Sequence, residues 1–312
     1  MNQKKKNIGL IILIVLLSAS AVILYFAGGP STRVNFDATK FTVQDTAAIT
    51  KITISGNSVN NTLEEINGTW WVNNKYLLDP SMKKVLMAVL YNVRIHRTAP
   101  KNQVTAIKKE LDNSGYKVSI YGNDNLIESF TAGGNNISIS YFMNDDEDPY
   151  VVHLPGYDSY VTGIFQVSEN DWRDRLVFST SWMGLKKLAM EYPGKKQDDF
   201  TITSGKNLPV VEGIARPDTT NLMQYVEMFQ TFAVDQYLDS GRVAKYDSLA
   251  MTRPWAVLTV DAISLTRPCT IEFFPRLNGD RLMVGKLQGN QIVLFSYDRI
   301  KEIFKSRSYF GK

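Results

Sequence analysis

Alternation of apolar and polar residues predicts strands in two similar series along the chain. Each series opens with one strand and continues into a hairpin. The opening strand and the hairpin are residues 49–54 (ITKITI) with 62–72, and residues 185–190 (LKKLAM) with 200–211. Asn67-Gly68 predicts a tight turn in the first hairpin, and Ser204-Gly205 predicts one in the second. The same two elements therefore begin both series.

After each hairpin, apolar residues at helical spacing predict one main helix. The first follows residues 79–81 (DPS) and the second follows residues 217–219 (PDT), and both sequences supply capping residues. The predicted buried stripes are Leu86, Val89, Leu90 and Val93 in the first helix, and Leu222, Tyr225, Val226 and Phe229 in the second. The second helix is predicted to continue to residue 232.

Each series then returns to strands and closes in the same way. The predicted strands are residues 116–121, 126–132, 137–142 and 150–154 in the first series, and residues 255–260, 270–274, 281–284 and 292–295 in the second. A Tyr-Asp pair follows each closing strand, in residues 157–165 (YDSYVTGIF) and 297–304 (YDRIKEIF). We predict a short helix there, capped by Asp158 or Asp298, whose Ile-Phe residues pack on the sheet.

The matching order indicates an internal duplication. The predicted fold class is α+β, with two duplicated halves, each an antiparallel sheet with one main helix, after an N-terminal transmembrane helix. The predicted segments are a cytoplasmic basic tail at 1–7, an anchor at 8–26, a linker at 27–44, a first repeat at 45–167, a connector at 168–183 and a second repeat at 184–312.

The N-terminal segment predicts a membrane anchor. Residues 8–26 carry no charge and are long enough to cross a bilayer, and Lys4, Lys5 and Lys6 precede them. The lysines predict a single-pass protein of the inner (cytoplasmic) membrane, in contact with its lipid bilayer, whose body lies in the periplasm. Cleavage as a signal peptide near residues 19–21 (ASA) is the alternative. No cysteine stands directly after the run, which argues against a lipoprotein anchor.

Composition and the scarcity of cysteine and histidine limit the kinds of binding site and catalytic site that we predict. The chain is 44% hydrophobic with a net charge of +4, and its lysine-rich leader holds much of that charge, which argues against nucleic-acid binding. Cys269 is the single cysteine and predicts a buried apolar residue. His96 and His153 lack metal-ligand spacing and are interpreted as structural. Gly133-Gly134 predicts a hairpin turn. We predict no cofactor, metal or catalytic residue.

An acidic loop stands between two predicted strands of the first half. Asp145, Asp146, Glu147 and Asp148 supply oxygen ligands of the kind that calcium prefers. They lack the spacing and the glycine of a calcium loop, so a solvated hairpin loop is the prediction, and cation binding stays open.

The connector contains the least ordinary sequence, Trp172-Arg173-Asp174-Arg175. Two arginines around an aspartate can form an ion-pair network that locks the halves together. Alternatively Trp172, Arg173 and Arg175 bind a partner, since tryptophan and arginine often anchor interfaces.

Four stretches of the chain carry a resemblance to a known family. They are AAITKITI, a hairpin ending in GTWWV, a helix after LLDP, and WRDRLVF at residues 172–178. With the predicted anchor, they resemble the bacterial domain of unknown function 4340 family over most of residues 40–180. The resemblance implies an envelope protein whose gene lies near ABC-type transporters or gliding-motility permeases, and it brings no catalytic residues.

We therefore expect a non-enzymatic, membrane-anchored extracytoplasmic protein. It would act as a scaffold or accessory binding component, with an ABC-type transporter permease or another envelope protein as partner. A hydrolase-like enzyme or a polysaccharide-binding protein is the alternative.

Overall fold

The computed structural model describes residues 36–57, 59–135, 137–145, 147–157, 159–206, 208–239 and 241–311. The predicted basic tail and the predicted anchor at residues 8–26 lie outside this part of the chain. Every helix that the structure describes is too short or too polar to cross a bilayer.

The chain divides at Lys40 into a first unit, of which the structure describes residues 36–40, and a second unit, Phe41–Lys312. In residues 36–40 of the first unit, a turn is held by Thr39, whose N and Oγ1 donate to Asp37 Oδ1 at 2.8 and 2.6 Å. The second unit contains all the helices and strands given below.

The first half of the second unit is built on one antiparallel sheet, with nine strands among the described residues. The strands are β1 (Lys51–Gly56), β2 (Val59–Ile66), β3 (Thr69–Val72), β4 (Tyr76–Leu77), β5 (Arg94–Thr98), β6 (Tyr116–Gly122), β7 (Asn125–Gly134), β8 (Ser140–Met143) and β9 (Tyr150–His153). Their order across the sheet is β4-β3-β2-β1-β6-β7-β8-β9-β5.

The second half is built on an antiparallel sheet with eight strands among the described residues. The strands are β11 (Leu185–Glu191), β12 (Phe200–Thr203), β13 (Val210–Val211), β15 (Gln236–Leu238), β16 (Ala256–Ala262), β17 (Cys269–Phe273), β18 (Leu282–Leu287) and β19 (Gln291–Ser296). Their order is β13-β12-β11-β16-β17-β18-β19-β15. A separate pair joins β10 (Leu176–Phe178) to β14 (Phe232–Ala233).

The two sheets place corresponding strands in the same order. In both, the hairpin strands lie on one side of the opening strand, and the later strands follow on the other side in chain order. In both, a strand that follows the main helix, β5 or β15, crosses back to the far edge, and neither of these strands was predicted. The predicted α+β class with antiparallel sheets is confirmed, in two sheet-rich halves.

The helices are fewer and shorter than the strands. They are α1 (Pro80–Asn92), α2 (Val104–Ser114), α3 (Glu169–Trp172), α4 (Thr219–Glu227), α5 (Ala244–Ala250) and α6 (Tyr297–Ile300). Short 3₁₀ helices cover Thr46–Ala48, Val161–Gln166, Lys196–Asp198, Lys301–Ile303 and Arg307–Phe310. The prediction of one main helix in each half is incomplete, because α2 and α5 add a second helix.

Capping and buried stripes explain the two main helices. Asp79 Oδ1 accepts from Ser81 N at 2.7 Å at the start of α1, and Asp218 Oδ1 accepts from Asn221 N at 3.0 Å at the start of α4. Both predicted stripes are buried, which confirms them. The helix α4 ends at Glu227 and not at residue 232, because Phe232 leaves the helix to stack on Phe178 at 5.0 Å.

Each half has an aromatic core. In the first, Phe130 stacks on Phe142 at 4.4 Å, and Phe41 meets both rings edge-on. In the second, Tyr225 lies 5.2 Å from Phe310, and its hydroxyl donates to Ile303 O at 2.8 Å. Burial raises the pKa of Tyr225 well above its ordinary range. Aromatic packing therefore fastens the helices and the C-terminal segment to the sheets.

The Tyr-Asp elements pack apolar residues on the sheets, as predicted, although their details differ. Phe165 and Ile303 are buried on short helices, while Ile164 and Phe304 are only half-buried. The capping role predicted for Asp298 is wrong, because Asp298 lies inside the first turn of α6 and pairs with Lys301 at 3.3 Å. Asp158 lies outside the described residues.

Two turns occur at positions that differ from the predicted ones. Gly133-Gly134 belongs to β7, where the two glycines pair with Tyr141 and Ser140, and the turn comes after them. Residues 137–139 consequently precede β8 instead of belonging to it. In the second hairpin, β12 and β13 pair through Thr203 and Val210, so the connection is wider than a tight Ser204-Gly205 turn.

Candidate functional site

The connector between the halves begins with the helix α3. Ser168 caps it: its Oγ accepts from Asp171 N at 3.3 Å and lies 2.6 Å from Asp171 Oδ2. Asn61 on β2 donates from Nδ2 to Val167 O at 2.9 Å, just before the cap. The connector is therefore fixed to the first sheet before it turns towards the second.

Backbone hydrogen bonds hold the connector on both sides. Towards the first half, Asp79 N donates to Trp172 O at 2.9 Å and Asp174 N donates to Leu77 O at 2.8 Å. Towards the second, Val234 N donates to Arg175 O at 2.9 Å, and β10 pairs with β14. An ordinary linker would lack this pairing, and the segment instead behaves as a strand shared by both halves.

Arg173 is the central side chain of the connector. Its guanidinium carbon lies 3.6 Å from the ring centroid of Tyr76 and 3.6 Å from that of Tyr237. Tyr76 belongs to the first sheet and Tyr237 to the second, so one cation is held between rings from both halves. Because Arg173 is only 8% exposed, these contacts are desolvated, which strengthens a cation–π interaction.

Neutral amides complete the shell of Arg173. Its Nη1 donates to Asn170 Oδ1 at 2.8 Å and to Gln291 Oε1 at 3.1 Å. Asn170 Nδ2 in turn donates to Asp239 Oδ1 at 2.6 Å, and Gln291 Nε2 donates to Leu238 O at 2.8 Å. Each amide thus uses its oxygen for the arginine and its nitrogen for the second half, which fixes its orientation.

The predicted ion-pair network is wrong in its partners. Within the described residues no ion pair joins Arg173 or Arg175 to Asp174; Asp174 Oδ1 accepts from Leu176 N at 2.9 Å. Tyr237 OH donates to Asp174 O at 3.0 Å, and burial raises the pKa of Tyr237 while Arg173 opposes that shift. Around Arg173 the contact between the halves depends on aromatic rings and amides, and the carboxylate of Asp239 accepts from an amide instead of an arginine.

The three candidate partner-binding residues have different surroundings. Trp172 is fully buried, and in the described part of the chain its indole N–H has no hydrogen-bond partner. Arg173 is buried as described above, and Arg175 is exposed. Of the three side chains, only Arg175 lies where a partner could reach it directly.

The structure brings together two residues that the sequence reasoning kept apart. His96 on β5 and His153 on β9, the chain's two histidines, lie with ring centroids 5.1 Å apart. Burial first, and then the neighbouring His96, lower the pKa of His153. The prediction missed the pair because it missed β5, the strand that carries His96 to this edge.

The acidic loop is a charged surface loop in the residues that are described. Asp145 pairs with Lys117 at 3.4 Å and Asp148 with Lys108 at 2.9 Å, while Asp146 lies outside the described residues. In that part of the chain no three His, Cys, Asp or Glu side chains form a group able to hold a metal ion. Cys269 packs half-buried against the second core, and burial raises the pKa of its thiol.

An aromatic cleft on the second half was not predicted. Trp255, just before β16, is 40% exposed and meets the ring of Phe304 edge-on at 4.8 Å and that of Tyr192 at 5.9 Å. The cleft has a volume of about 350 Å³, and Lys195 and Asp198 also line it. The sequence pattern predicts Trp255 only as the first residue of a strand, and the exposure of its ring follows from the tertiary fold.

Comparison with known proteins provides no relative. No family model matches the chain, and neither the curated proteins nor the solved structures contain a match.

Proposed function

We propose that this protein is a non-enzymatic, membrane-anchored protein of the cell envelope that acts as a scaffold or accessory binding component. The observation that carries the proposal is the Arg173 contact, in which Tyr76 and Tyr237 hold one buried guanidinium at 3.6 Å from each ring. A desolvated contact of this kind opposes relative motion of the two sheets, and a rigid body can hold partners at a fixed separation.

The support for a membrane anchor and for a transporter partner comes from the sequence. The uncharged run at residues 8–26 with its lysine flank supports a single-pass inner-membrane protein with a periplasmic body. The resemblance to the domain of unknown function 4340 family supports an ABC-type transporter permease, or a gliding-motility-like system, as the assembly it joins. The common strand order of the two sheets supports an origin of the body by duplication.

A single-cysteine variant tests the location. Cys269 is the chain's only cysteine, so Cys269→Ala with Met251→Cys leaves one thiol at a position that is 88% exposed. We expect a membrane-impermeant maleimide to label this thiol in intact cells. Labelling only after the inner membrane is permeabilised would overturn the proposed location.

Cross-linking in cells tests the scaffold role. We expect a tagged full-length chain, cross-linked and extracted in detergent, to copurify a membrane permease in a fixed ratio. A variant with residues 8–26 replaced by an unrelated transmembrane helix should retain that partner, since the body makes the contact. Recovery of the chain alone, with no permease at a fixed ratio, contradicts the proposal.

A further inference from the structure

Trp255 also lines a second cleft. This cleft has a volume of about 190 Å³, and Arg276, Met283 and Tyr297 line it as well. Trp255 thus contributes to two adjoining clefts on the surface of the second half. Since ligand sites are concave, with apolar surface and a few placed polar groups, the two clefts together have the form of an extended binding groove.

The indole of Trp255 is held in place before any ligand arrives. Its backbone N donates to Phe273 O at 2.8 Å, and Phe304, which supports the indole, lies 5.1 Å from the ring of Phe273. Tyr192 is fixed through its hydroxyl, which donates to Lys305 O at 2.6 Å, and through its N, which donates to Asp199 Oδ1 at 2.6 Å. A preorganised aromatic ring loses little conformational entropy on binding.

The charges around the two clefts are mostly positive. Lys195 and Lys305 line the first cleft with one acid, Asp198, and Arg276 lines the second. Arg276 lies over the ring of Tyr297 at 4.4 Å, and Lys305 Nζ is 2.5 Å from Glu302 Oε2. Because Lys305 is paired with Glu302, Lys195 and Arg276 are the groups that can donate to ligand carboxylates and hydroxyls, while Asp198 can accept from a hydroxyl.

We infer that the paired clefts bind an acidic saccharide chain, with sugar rings against the indole of Trp255 and sugar carboxylates at Lys195 and Arg276. A sugar ring presents an apolar C–H face and a rim of hydroxyls, which matches a tryptophan bordered by both donors and an acceptor. A cation in each of the two clefts that share Trp255 suits a chain that repeats ring and carboxylate. This inference stands independently of the scaffold role and of the membrane location.

Titration calorimetry of the full-length chain tests the inference. The chain should be kept in a detergent without a sugar headgroup, and the probe is a hexamer of galacturonic acid. We expect saturable binding that weakens as salt is raised, because exposed charges are screened. Absence of saturable binding at millimolar hexamer would overturn the inference.

Two further probes identify the ligand class. Neutral cellohexaose should bind at least about tenfold more weakly than the galacturonate hexamer, and so should a glutamate hexapeptide, which has charge without rings. Equal binding of cellohexaose would overturn the role of the cations. Equal binding of the peptide would overturn the saccharide assignment in favour of a peptide site.

Variants locate the site. Trp255→Ala should weaken binding by about tenfold to a hundredfold, comparable to the loss of one aromatic ring that stacks on a nucleic-acid base, and Trp255→Phe should restore part of the affinity. Arg276→Gln should weaken binding and reduce its salt dependence, while Lys206→Gln, an exposed charge that lines neither cleft, should change nothing.

Thermal melting of each variant checks folding. If Trp255→Ala does not fold, undiminished binding by both Trp255→Phe and Arg276→Gln overturns the inference.

Discussion

The two halves contribute unequally to the contact around Arg173. From the first sheet comes Tyr76, on the two-residue strand β4, and its side chain is half-buried. From the second come Tyr237, which is 6% exposed, and the amide of Gln291. A contact with one weak and one strong side should open at the weak side, so the first sheet controls how easily the halves separate.

Removal of Arg173 should have the largest effect. Arg173→Ala loses both ring contacts and leaves the amide oxygens of buried Asn170 and half-buried Gln291 without their donor, which should cost about 2–4 kcal/mol of unfolding free energy. Urea unfolding of the full-length chain in detergent, followed by tryptophan fluorescence, measures it. Arg173→Lys keeps the charge without the planar fork and should recover only part of the loss. A loss below about 0.5 kcal/mol would contradict the locking role.

Substitution of Tyr76 and Tyr237 tests whether the two halves contribute unequally to the contact around Arg173. Tyr237→Leu should cost about 2–3 kcal/mol, since it removes a buried ring and the hydroxyl that donates to Asp174 O at 3.0 Å. Tyr76→Leu should cost about 1 kcal/mol, because its ring is half-buried on a short strand. The same unfolding experiment compares them, with Tyr237→Phe as the variant that keeps the ring. Equal losses would mean that both sides hold the arginine equally.

Acid should affect the first half selectively. Both histidines lie there, and the pKa of His153 is lowered from its ordinary value of 6.5. The unfolded chain therefore binds a proton that the folded His153 resists, so stability falls as pH drops below about 6.5 and stops falling below the lowered folded pKa. Hydrogen exchange at pH 7.5 and 5, corrected for the intrinsic exchange rate at each pH, should show lower protection at pH 5 in β5 and β9 only. His153→Gln should remove the difference, and an equal loss of protection in β15 and β19 would contradict it.

Arg175 should give the smallest effect. Its side chain is exposed, so Arg175→Ala should change the unfolding free energy by less than about 0.5 kcal/mol. This variant is the matched control for Arg173→Ala, since the two residues differ mainly in burial. A loss comparable to that of Arg173→Ala would show that exposed charge, and not the buried sandwich, holds the connector.

Pattern reasoning recovered the elements with strong periodicity and clear caps. Asp79 and Asp218 predict the starts of α1 and α4, and Asn67-Gly68 predicts its hairpin turn. These predictions succeed because caps and tight turns depend on interactions within a few residues of the chain. Pattern reasoning missed β5 (RIHRT), whose polar residues do not alternate with apolar ones, and α2, which has two buried residues and no side-chain cap. Both are fixed by contacts with distant residues.

The contact around Arg173 shows the same limit. An arginine beside an aspartate in sequence predicts an ion pair, yet the partners are rings and an amide far away in the chain. Tyrosine and glutamine carry no signal of such a role. Arg173 contacts both halves at the predicted position, whereas the predicted ion-pair chemistry is wrong, because only the tertiary fold brings Tyr76, Tyr237 and Gln291 to one point. That this contact locks the halves stays a prediction.

The position of β4 and β15 has a consequence for symmetry. Arg173 joins the β4 end of one sheet to the β15 end of the other, and these are opposite ends of a common strand order. Such a joint is heterologous, so no two-fold axis relates the halves. The edge strands that do not take part in this contact, β5 and β13, differ from each other. The strand β5 carries arginines and His96, while β13 has Val210 exposed beside Leu208. The body therefore has a direction, and two partners that recognise unlike ends could bind it at once without competing.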